Sequence, residues 1–310
     1  MLARISAIAM NTYREAVRAR VLYGLFALAI GTSLYAVIVG TLSLHHEARV
    51  IADLGASSIS IYAVLVAIVL GATSLHRELE LKTIFPILSR PLRRHEYLVG
   101  KYFGTLATLG VFVAIDGATI LILLALEAGQ APWKIGAALA FFGVVLAVML
   151  VRAKYTRVFV LIPWAGALAL SAFLLASNAG GDRQLVVASA ALTMCEVSIV
   201  AAVATLFASF SSPFLTTIFT VGIFLVGRSA DTLANLPVRS FGPIIHGGGK
   251  VLARVAPNLH LYVPARPLLL GEVPDVPVWP YVGSAAAHAL FYATALLTLS
   301  ALIFRKRDFQ

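Results

Sequence analysis

Charged side chains are scarce in this sequence. Asp, Glu, Lys and Arg make up 12% of its 310 residues, whereas hydrophobic residues make up 60%. A soluble globular domain carries about 25% charged residues. The composition therefore excludes a water-soluble domain and predicts a chain that lies largely within a membrane.

Cysteine is almost absent as well. The single cysteine, Cys195, lies inside an apolar run, which excludes an internal disulfide or a thiolate metal cluster. His45, His46 and Glu47 form the one cluster of histidine and acid. Zinc sites normally need three or four converging ligands, so a solvated loop is the first interpretation and a divalent-cation site the alternative. We predict no bound metal and no cofactor.

The sequence also lacks a loop that would cradle nucleotide phosphates. Gly100-Lys101 and Gly249-Lys250 have neither the earlier glycine nor the following Ser or Thr of such a loop. No grouping of Ser, His and Asp and no paired carboxylates indicate hydrolysis. We expect no enzymatic activity in this chain, so that any ATP it uses is hydrolysed by another polypeptide.

Long apolar runs take the place of charge. A hydrocarbon core about 30 Å thick needs roughly 20 helical residues, and eight runs approach or exceed this length. They are continuously apolar, which favours helices over the alternating strands of a membrane barrel. We therefore predict an all-α integral membrane protein of about eight transmembrane helices, at residues 21–44, 54–75, 102–126, 135–151, 158–177, 185–209, 211–227 and 281–304.

The basic residues predict the orientation of these helices. If both termini are cytoplasmic, 16 of the 24 Lys and Arg residues lie on the inner side, as the positive-inside rule requires. The net charge of +10 then reflects the membrane rather than a nucleic-acid partner. Residues 1–20 carry four arginines and no cleavable signal peptide, and we interpret them as a cytoplasmic lead-in helix.

Two segments stand outside the apolar runs. In the cytoplasmic segment 76–101, a stripe of apolar residues at helical spacing is typical of an amphipathic helix, which either lies on the lipid surface or docks into a groove of a soluble partner. The external segment 230–280 holds eight of the 13 prolines and predicts a cap over the outer mouth or an ordered loop. The stripe consists of Leu81, Ile84, Phe85 and Leu88.

A short helix and a turn are predicted within segment 230–280. Residues 257–259, Pro-Asn-Leu, are typical of a turn before the apolar patch 268–270. A short interfacial helix is predicted around Ile244, Ile245, Val251, Leu252 and Val255.

Two acidic residues, Asp116 and Glu196, lie near the centres of the third and sixth apolar runs. An ionised acid facing lipid costs about 2.5 to 3.5 kcal/mol, so both must face protein or water. Interhelical hydrogen bonds are one interpretation, and a substrate or ion pathway is the other.

Several stretches resemble one family, the permease subunits of bacterial ATP-binding-cassette exporters. They are similar to the type-2 permease superfamily, in its multi-copper-enzyme-maturation branch. Together they cover well over a third of the chain: MNTYREAVRARVLYGLF (10–26), IADLGASSISIYAVLVAIVLG (51–71), RELELKTIFPILSRPLRRHEYLVGKYFG (77–104), ATLFASFSSPFLTTIFTVGIFLVG (204–227), PNLHLY (257–262) and IFRKRDF (303–309).

The resemblance implies a multi-pass protein of the bacterial inner membrane that moves an unidentified substrate outward. It also implies that a separate ATPase docks on a coupling helix between the second and third spans, and that a second permease chain forms a homodimer. Glu196 matches an acidic position common in the branch. The ATPase-docking residues implied here are Glu78, Leu81, Thr83, Ile84, Phe85, Leu88, Arg90, Pro91, Arg94, Gly100 and Lys101.

The sequence departs from the family at two places. Residues 135–183 resemble an inserted helical hairpin added to a six-helix core, and Pro86 interrupts a helix that the family usually continues. A rival interpretation is an ion-coupled secondary transporter in which Asp116 and Glu196 are the coupling sites. Against it, the two halves show no internal repeat.

Overall fold

The computed structural model describes residues 2–43, 46–80, 94–153, 157–273 and 276–306. Within these ranges the chain is helical and contains no strand, which confirms the predicted all-α class. Two 3₁₀ turns cover Ala176–Ala179 and Leu259–Tyr262. The α-helices of the described residues are α1 Leu2–Val17, α2 Arg20–Thr41, α3 Glu47–Glu80, α4 Arg94–Glu127, α5 Pro132–Arg152, α6 Leu161–Leu175, α7 Gly180–Ala208, α8 Pro213–Arg228, α9 Ala230–Ala234, α10 Val238–Val255, α11 Arg266–Leu270 and α12 Val278–Lys306.

Each predicted apolar run falls largely within one helix, from α2 to α8 and in α12. Six helical stretches of the described chain are long and apolar enough to cross a membrane, one of them the continuous stretch Leu161–Ala208 that contains both α6 and α7. Helix α8 is apolar but only 16 residues long. This is the architecture of a multi-pass helical membrane protein.

Helix α7 is the centre of the bundle. It packs against α3, α4 and α12, and its side chains Leu192 and Val197 are fully buried. A Cβ at Gly71 of α3 would lie 2.4 Å from the Cβ of Ala204 in α7. Only glycine permits α3 and α7 to approach this closely, as small residues do at interfaces between membrane helices.

The segment predicted as an inserted hairpin consists of α5 and α6. Gly180, with a φ of 55°, ends the 3₁₀ turn and separates α6 from α7, because that backbone conformation suits glycine. Helix α6 packs against α4. Helix α5 buries only Ile135 and is joined to α6 by the Trp164 indole, which donates a hydrogen bond of 2.9 Å to the carbonyl of Phe142.

Helix α1, the predicted lead-in, packs along the start of α4. Gly100 and Gly104 of α4 form its seat, because a Cβ at Gly104 would lie 2.5 Å from the Ala9 carbonyl. The Arg4 guanidinium lies 3.8 Å from the carboxylate of Glu96, which is nearly fully buried. Helix α1 therefore braces α4, which the sequence does not indicate.

A buried tyrosine in α1 provides a stability test. The hydroxyl of Tyr13 is enclosed and has no hydrogen-bond partner among the described residues, and burial raises its pKa to about 12. An unsatisfied buried hydroxyl costs about 1–3 kcal/mol. We expect Tyr13→Phe to raise the melting temperature of the purified protein by a few degrees.

Tyr102→Phe is the matched control for this prediction. It should lower the melting temperature, because Tyr102 donates a hydrogen bond of 3.1 Å to the Ser198 carbonyl. Equal shifts for both variants would contradict this assignment.

The proline-rich segment 230–280 contains a helix, α10, at the residues where the sequence predicts a short one. In α10 the backbone leaves the helical region at Gly242, where φ is 76°, directly before Pro243. The predicted apolar residues follow on the regular part of α10, where Ile244 is 87% exposed. The Asn258 side chain then accepts a hydrogen bond from the His260 amide and opens the predicted turn.

Two tyrosines attach this segment to α12. The Tyr262 hydroxyl lies 2.9 Å from Nδ1 of His288, and the Tyr281 hydroxyl donates a hydrogen bond of 2.6 Å to the Leu261 carbonyl. The segment is therefore held against the bundle.

Candidate functional site

Two long helices flank the predicted docking segment. Helices α3 and α4 have 34 residues each, which corresponds to about 50 Å at 1.5 Å per residue. A hydrocarbon core is about 30 Å thick, so both helices are longer than such a core is thick. Helix α3 ends at Glu80 and α4 begins at Arg94, so residues 81–93 connect the end of α3 to the start of α4.

Lys101 joins α3 to α4 near these ends. Its ammonium donates hydrogen bonds to the Ser74 carbonyl at 2.5 Å and to the Ser74 hydroxyl at 3.1 Å, and it lies 5.5 Å from the centroid of the Tyr97 ring. Residues 75–80 and 94–100 continue past this contact, by about 10 Å in each helix. The two helix ends are thus fixed to each other at the base of the projection.

Among the predicted ATPase-docking residues, Gly100 and Lys101 are buried within the chain. Gly100 packs against Ile8 of α1, and Lys101 is 4% exposed, so within this chain both residues position the helix ends. The other predicted positions Leu81, Thr83, Ile84, Phe85, Leu88, Arg90 and Pro91 lie outside the described residues, as do the side chains of Glu78 and Arg94.

A buried ion pair lies at the middle of the bundle. Glu196 of α7 is fully buried, and its Oε1 accepts a hydrogen bond of 2.5 Å from Nη1 of Arg228. Ser60 of α3 completes the cluster: its hydroxyl donates to Oε2 of Glu196 at 3.1 Å and accepts from Nη2 of Arg228 at 3.1 Å. The interhelical hydrogen bond expected for Glu196 is therefore present, with a charged partner.

Arg228 is placed in this cluster by the short helix α8. The Ser212 side chain caps α8 at its start, and 16 residues later the helix ends at Arg228, at the depth of Glu196. The positive-inside count assigns Arg228 to the outer loops, whereas its guanidinium lies inside the bundle. There it also lies 5.7 Å from the centroid of the Phe224 ring.

Asp116 of α4 has a different environment. Its side chain is fully buried, and its Oδ1 accepts one long hydrogen bond of 3.4 Å from Ser33 of α2. Its Oδ2 has no hydrogen-bond partner in the described part of the chain. The two predicted intramembrane acids therefore belong to separate sites, and among the described residues Glu196 has a counter-ion whereas Asp116 has none.

A cavity of about 310 Å³ leads from the Glu196 cluster toward the starts of α3 and α7. Arg228 and Ser60 lie at its inner end. At its other end the Arg266 guanidinium pairs with the carboxylates of Asp53 in α3 and Asp182 in α7.

The lining combines an arginine at either end with hydroxyl groups and apolar side chains, so the cavity can hydrogen-bond a small polar solute. Because Tyr262 to Arg266 form part of the wall, the proline-rich segment closes one side of the cavity. The polar lining residues are Asp53, Ser57, Ser60, Ser189, Thr193, Arg228, Tyr262 and Arg266.

The described residues contain no group of three or more His, Cys, Asp and Glu side chains that could hold a metal ion. Of the predicted histidine cluster, His45 lies outside the described residues. His46 is described, and it belongs to no such group among the described residues.

The sequence analysis did not identify the two arginines that organise these sites. Arg228 is 32 residues from Glu196, and Arg266 is 213 residues from Asp53 and 84 from Asp182. No helical spacing links such positions. The available signal was chemical. A lone acid in an apolar run needs a counter-ion or hydrogen bonds, and Arg228 directly follows the short predicted helix at residues 211–227.

No family model matches this chain. A search of curated proteins also finds no match.

Proposed function

We propose that this chain is the membrane-spanning subunit of an ATP-driven exporter in the bacterial inner membrane. In this proposal eight crossings place both termini in the cytoplasm, and a separate ATPase docks on residues 76–101. Two copies of the chain form the transport unit, each with one ATPase. The chain itself carries no ATPase site, and its substrate is a solute that passes outward.

The observation that carries the proposal is the rigid pair formed by α3 and α4. Both helices project beyond the hydrocarbon core and frame the segment whose stripe contains Phe85 and Leu88. The Lys101–Ser74 contact fixes the two helices to each other, and the packing of α1 on Gly104 braces α4. A force applied to the connecting segment is then transmitted to both helices together. Two helices that move together in this way are suited to coupling with a separate ATPase.

The pair formed by α3 and α4 is connected to the polar cavity through α3. Ser74 lies near the projecting end of this helix, Ser60 contacts the Glu196 cluster, and Asp53 holds Arg266 at the mouth of the cavity. A tilt of α3 therefore changes the base and the mouth of the cavity at the same time. We propose that this motion admits and releases a polar solute.

The rival function, an ion-coupled carrier, draws on Asp116. This acid is buried without a counter-ion among the described residues, as an ion-coupling site would be. Glu196, the other proposed coupling site, already holds Arg228. A carrier of this kind needs no second polypeptide, so isolation of a stable complex with an ATPase separates the two functions.

Sidedness of the segment 76–101 provides the first test. In a Cys195→Ala background, Leu88→Cys should react with a membrane-impermeant maleimide in inside-out vesicles and not in intact cells. The matched control is Ile244→Cys, whose exposed position in α10 should give the reverse pattern. Labelling of position 88 from outside intact cells would contradict the proposed topology.

A further inference from the structure

A second cavity, of about 500 Å³, opens on the flank of the bundle between α4, α6 and α7. All of its lining residues are apolar or glycine, in contrast to the polar cavity at Arg228. Gly110 and Leu121 mark its ends on α4, Ala190 forms its floor on α7, and Phe173 of α6 and Trp279 of α12 lie at one end. Because α6 belongs to the inserted hairpin, the insertion creates this groove.

A positively charged side chain, Arg183, lies at the end of the groove. The guanidinium of Arg183, in the first turn of α7, lies 4.6 Å from the centroid of the Phe173 ring. Its neighbour Asp182 is bound to Arg266, and no described carboxylate pairs with Arg183. The partly exposed Trp279 lies at the same end, and tryptophan is enriched where hydrocarbon meets headgroups.

The dimensions of the groove fit one leaflet of a bilayer. From Gly110 to Leu121 the α4 backbone rises about 16 Å, which is about half of a 30 Å hydrocarbon core. The groove is open along the flank of the bundle, so a single flexible hydrocarbon chain can lie along it.

We infer that this groove binds an anionic phospholipid, with one acyl chain along α4 and α7 and the phosphate at Arg183. Charge complementarity selects the headgroup, because an arginine at the interface attracts anionic lipids. The apolar lining favours binding of the acyl chain. The lipid contacts the α4, α6 and α7 surfaces that line the groove, and the site is independent of the proposed transport function.

Native mass spectrometry of the purified full-length chain tests this inference. Phosphatidylglycerol and phosphatidylcholine with identical acyl chains serve as probes. We expect wild-type protein to retain one phosphatidylglycerol with about tenfold higher affinity than phosphatidylcholine, because both lipids carry the phosphate but only phosphatidylglycerol has a net negative charge to pair with Arg183. Arg183→Gln should remove this preference, by lowering the affinity for phosphatidylglycerol more than that for phosphatidylcholine.

Two further variants separate the site from general lipid adhesion. Ala190→Trp fills the groove and should lower retention of both lipids. Lys134→Gln is the matched control, because Lys134 also lies over an aromatic ring, at 5.9 Å from the Trp133 centroid, but borders no part of the groove. It should leave lipid binding unchanged. Equal binding of both lipids by the wild type, or an unchanged preference in Arg183→Gln, would overturn the inference.

Discussion

Replacing Glu196 with leucine should lower the melting temperature of the purified protein by on the order of 10 °C. The substitution leaves the Arg228 guanidinium inside the bundle without its carboxylate. Breaking one side of a fully buried ion pair costs about 3–5 kcal/mol, and the 26% exposure of the Arg228 side chain places this variant at the lower end of that range. Arg228→Leu should destabilise the protein similarly, because the fully buried Glu196 then loses its charged partner.

The double variant Glu196→Leu/Arg228→Leu should recover most of this loss. Removing both charges removes their desolvation cost together, and well-packed apolar residues often replace a buried pair without loss of stability. Thermal unfolding of the four proteins in the same detergent gives the double-mutant cycle. The coupling energy between Glu196 and Arg228 tests whether their ion pair stabilises the bundle.

An exposed contact between a histidine and an acid in the same protein supplies the control. His260 and Asp231 lie 2.9 Å apart, but both side chains are more than half exposed. Exposed pairs contribute about 0–1 kcal/mol, so Asp231→Leu should shift the melting temperature by at most a few degrees. If Glu196→Leu shifts it no more than this control, or if the double variant is no more stable than the single ones, the ion pair does not stabilise the bundle.

Helix positions could be predicted from the sequence because the bilayer imposes them. Water is absent from the hydrocarbon core, so an apolar run long enough to cross it must be helical. Helix ends were less predictable. The apolar run 102–126 stops where charge begins, but α4 starts at Arg94, because Arg4 and Ser74 provide partners for Glu96 and Lys101. The runs mark the hydrocarbon boundary and not the ends of the helices.

The polar sites could be predicted only in part. The energetic cost of a charge in lipid identifies Asp116 and Glu196 as residues that need partners. Which partners they find depends on how α2, α3, α4, α7 and α8 pack, and that packing depends on close approaches such as Gly71 against Ala204. Ser33, Ser60 and Arg228 carry no mark of these roles in the sequence itself.

The segment 230–280 shows the same division between local and distant information. Its turn at Asn258 and the helix after Pro243 follow from turn and helix chemistry that acts over a few residues. The pairing of Arg266 with Asp53 and Asp182 joins three distant parts of the chain. It closes the mouth of the cavity, which no local pattern predicts.

Phe85→Glu should abolish the association of this chain with its proposed ATPase. An aromatic residue at the centre of a docked helix typically contributes 2 kcal/mol or more, so a charge at this position should weaken the complex by about thirtyfold or more. Leu88→Glu lies on the same stripe and should have the same effect. Ile244→Glu makes the same change of an apolar residue to an acid on exposed α10, and it should leave the complex intact.

Affinity purification of the tagged chain from its native cells, with mass spectrometry of the proteins that accompany it, measures this association most directly. Docking on residues 76–101 predicts that an ATPase with a phosphate-cradling loop copurifies in stoichiometric amount with the wild type and with Ile244→Glu, and is lost from Phe85→Glu. Copurification of that ATPase with Phe85→Glu at the wild-type level, or its absence from the wild-type sample, would contradict the proposed role of this chain.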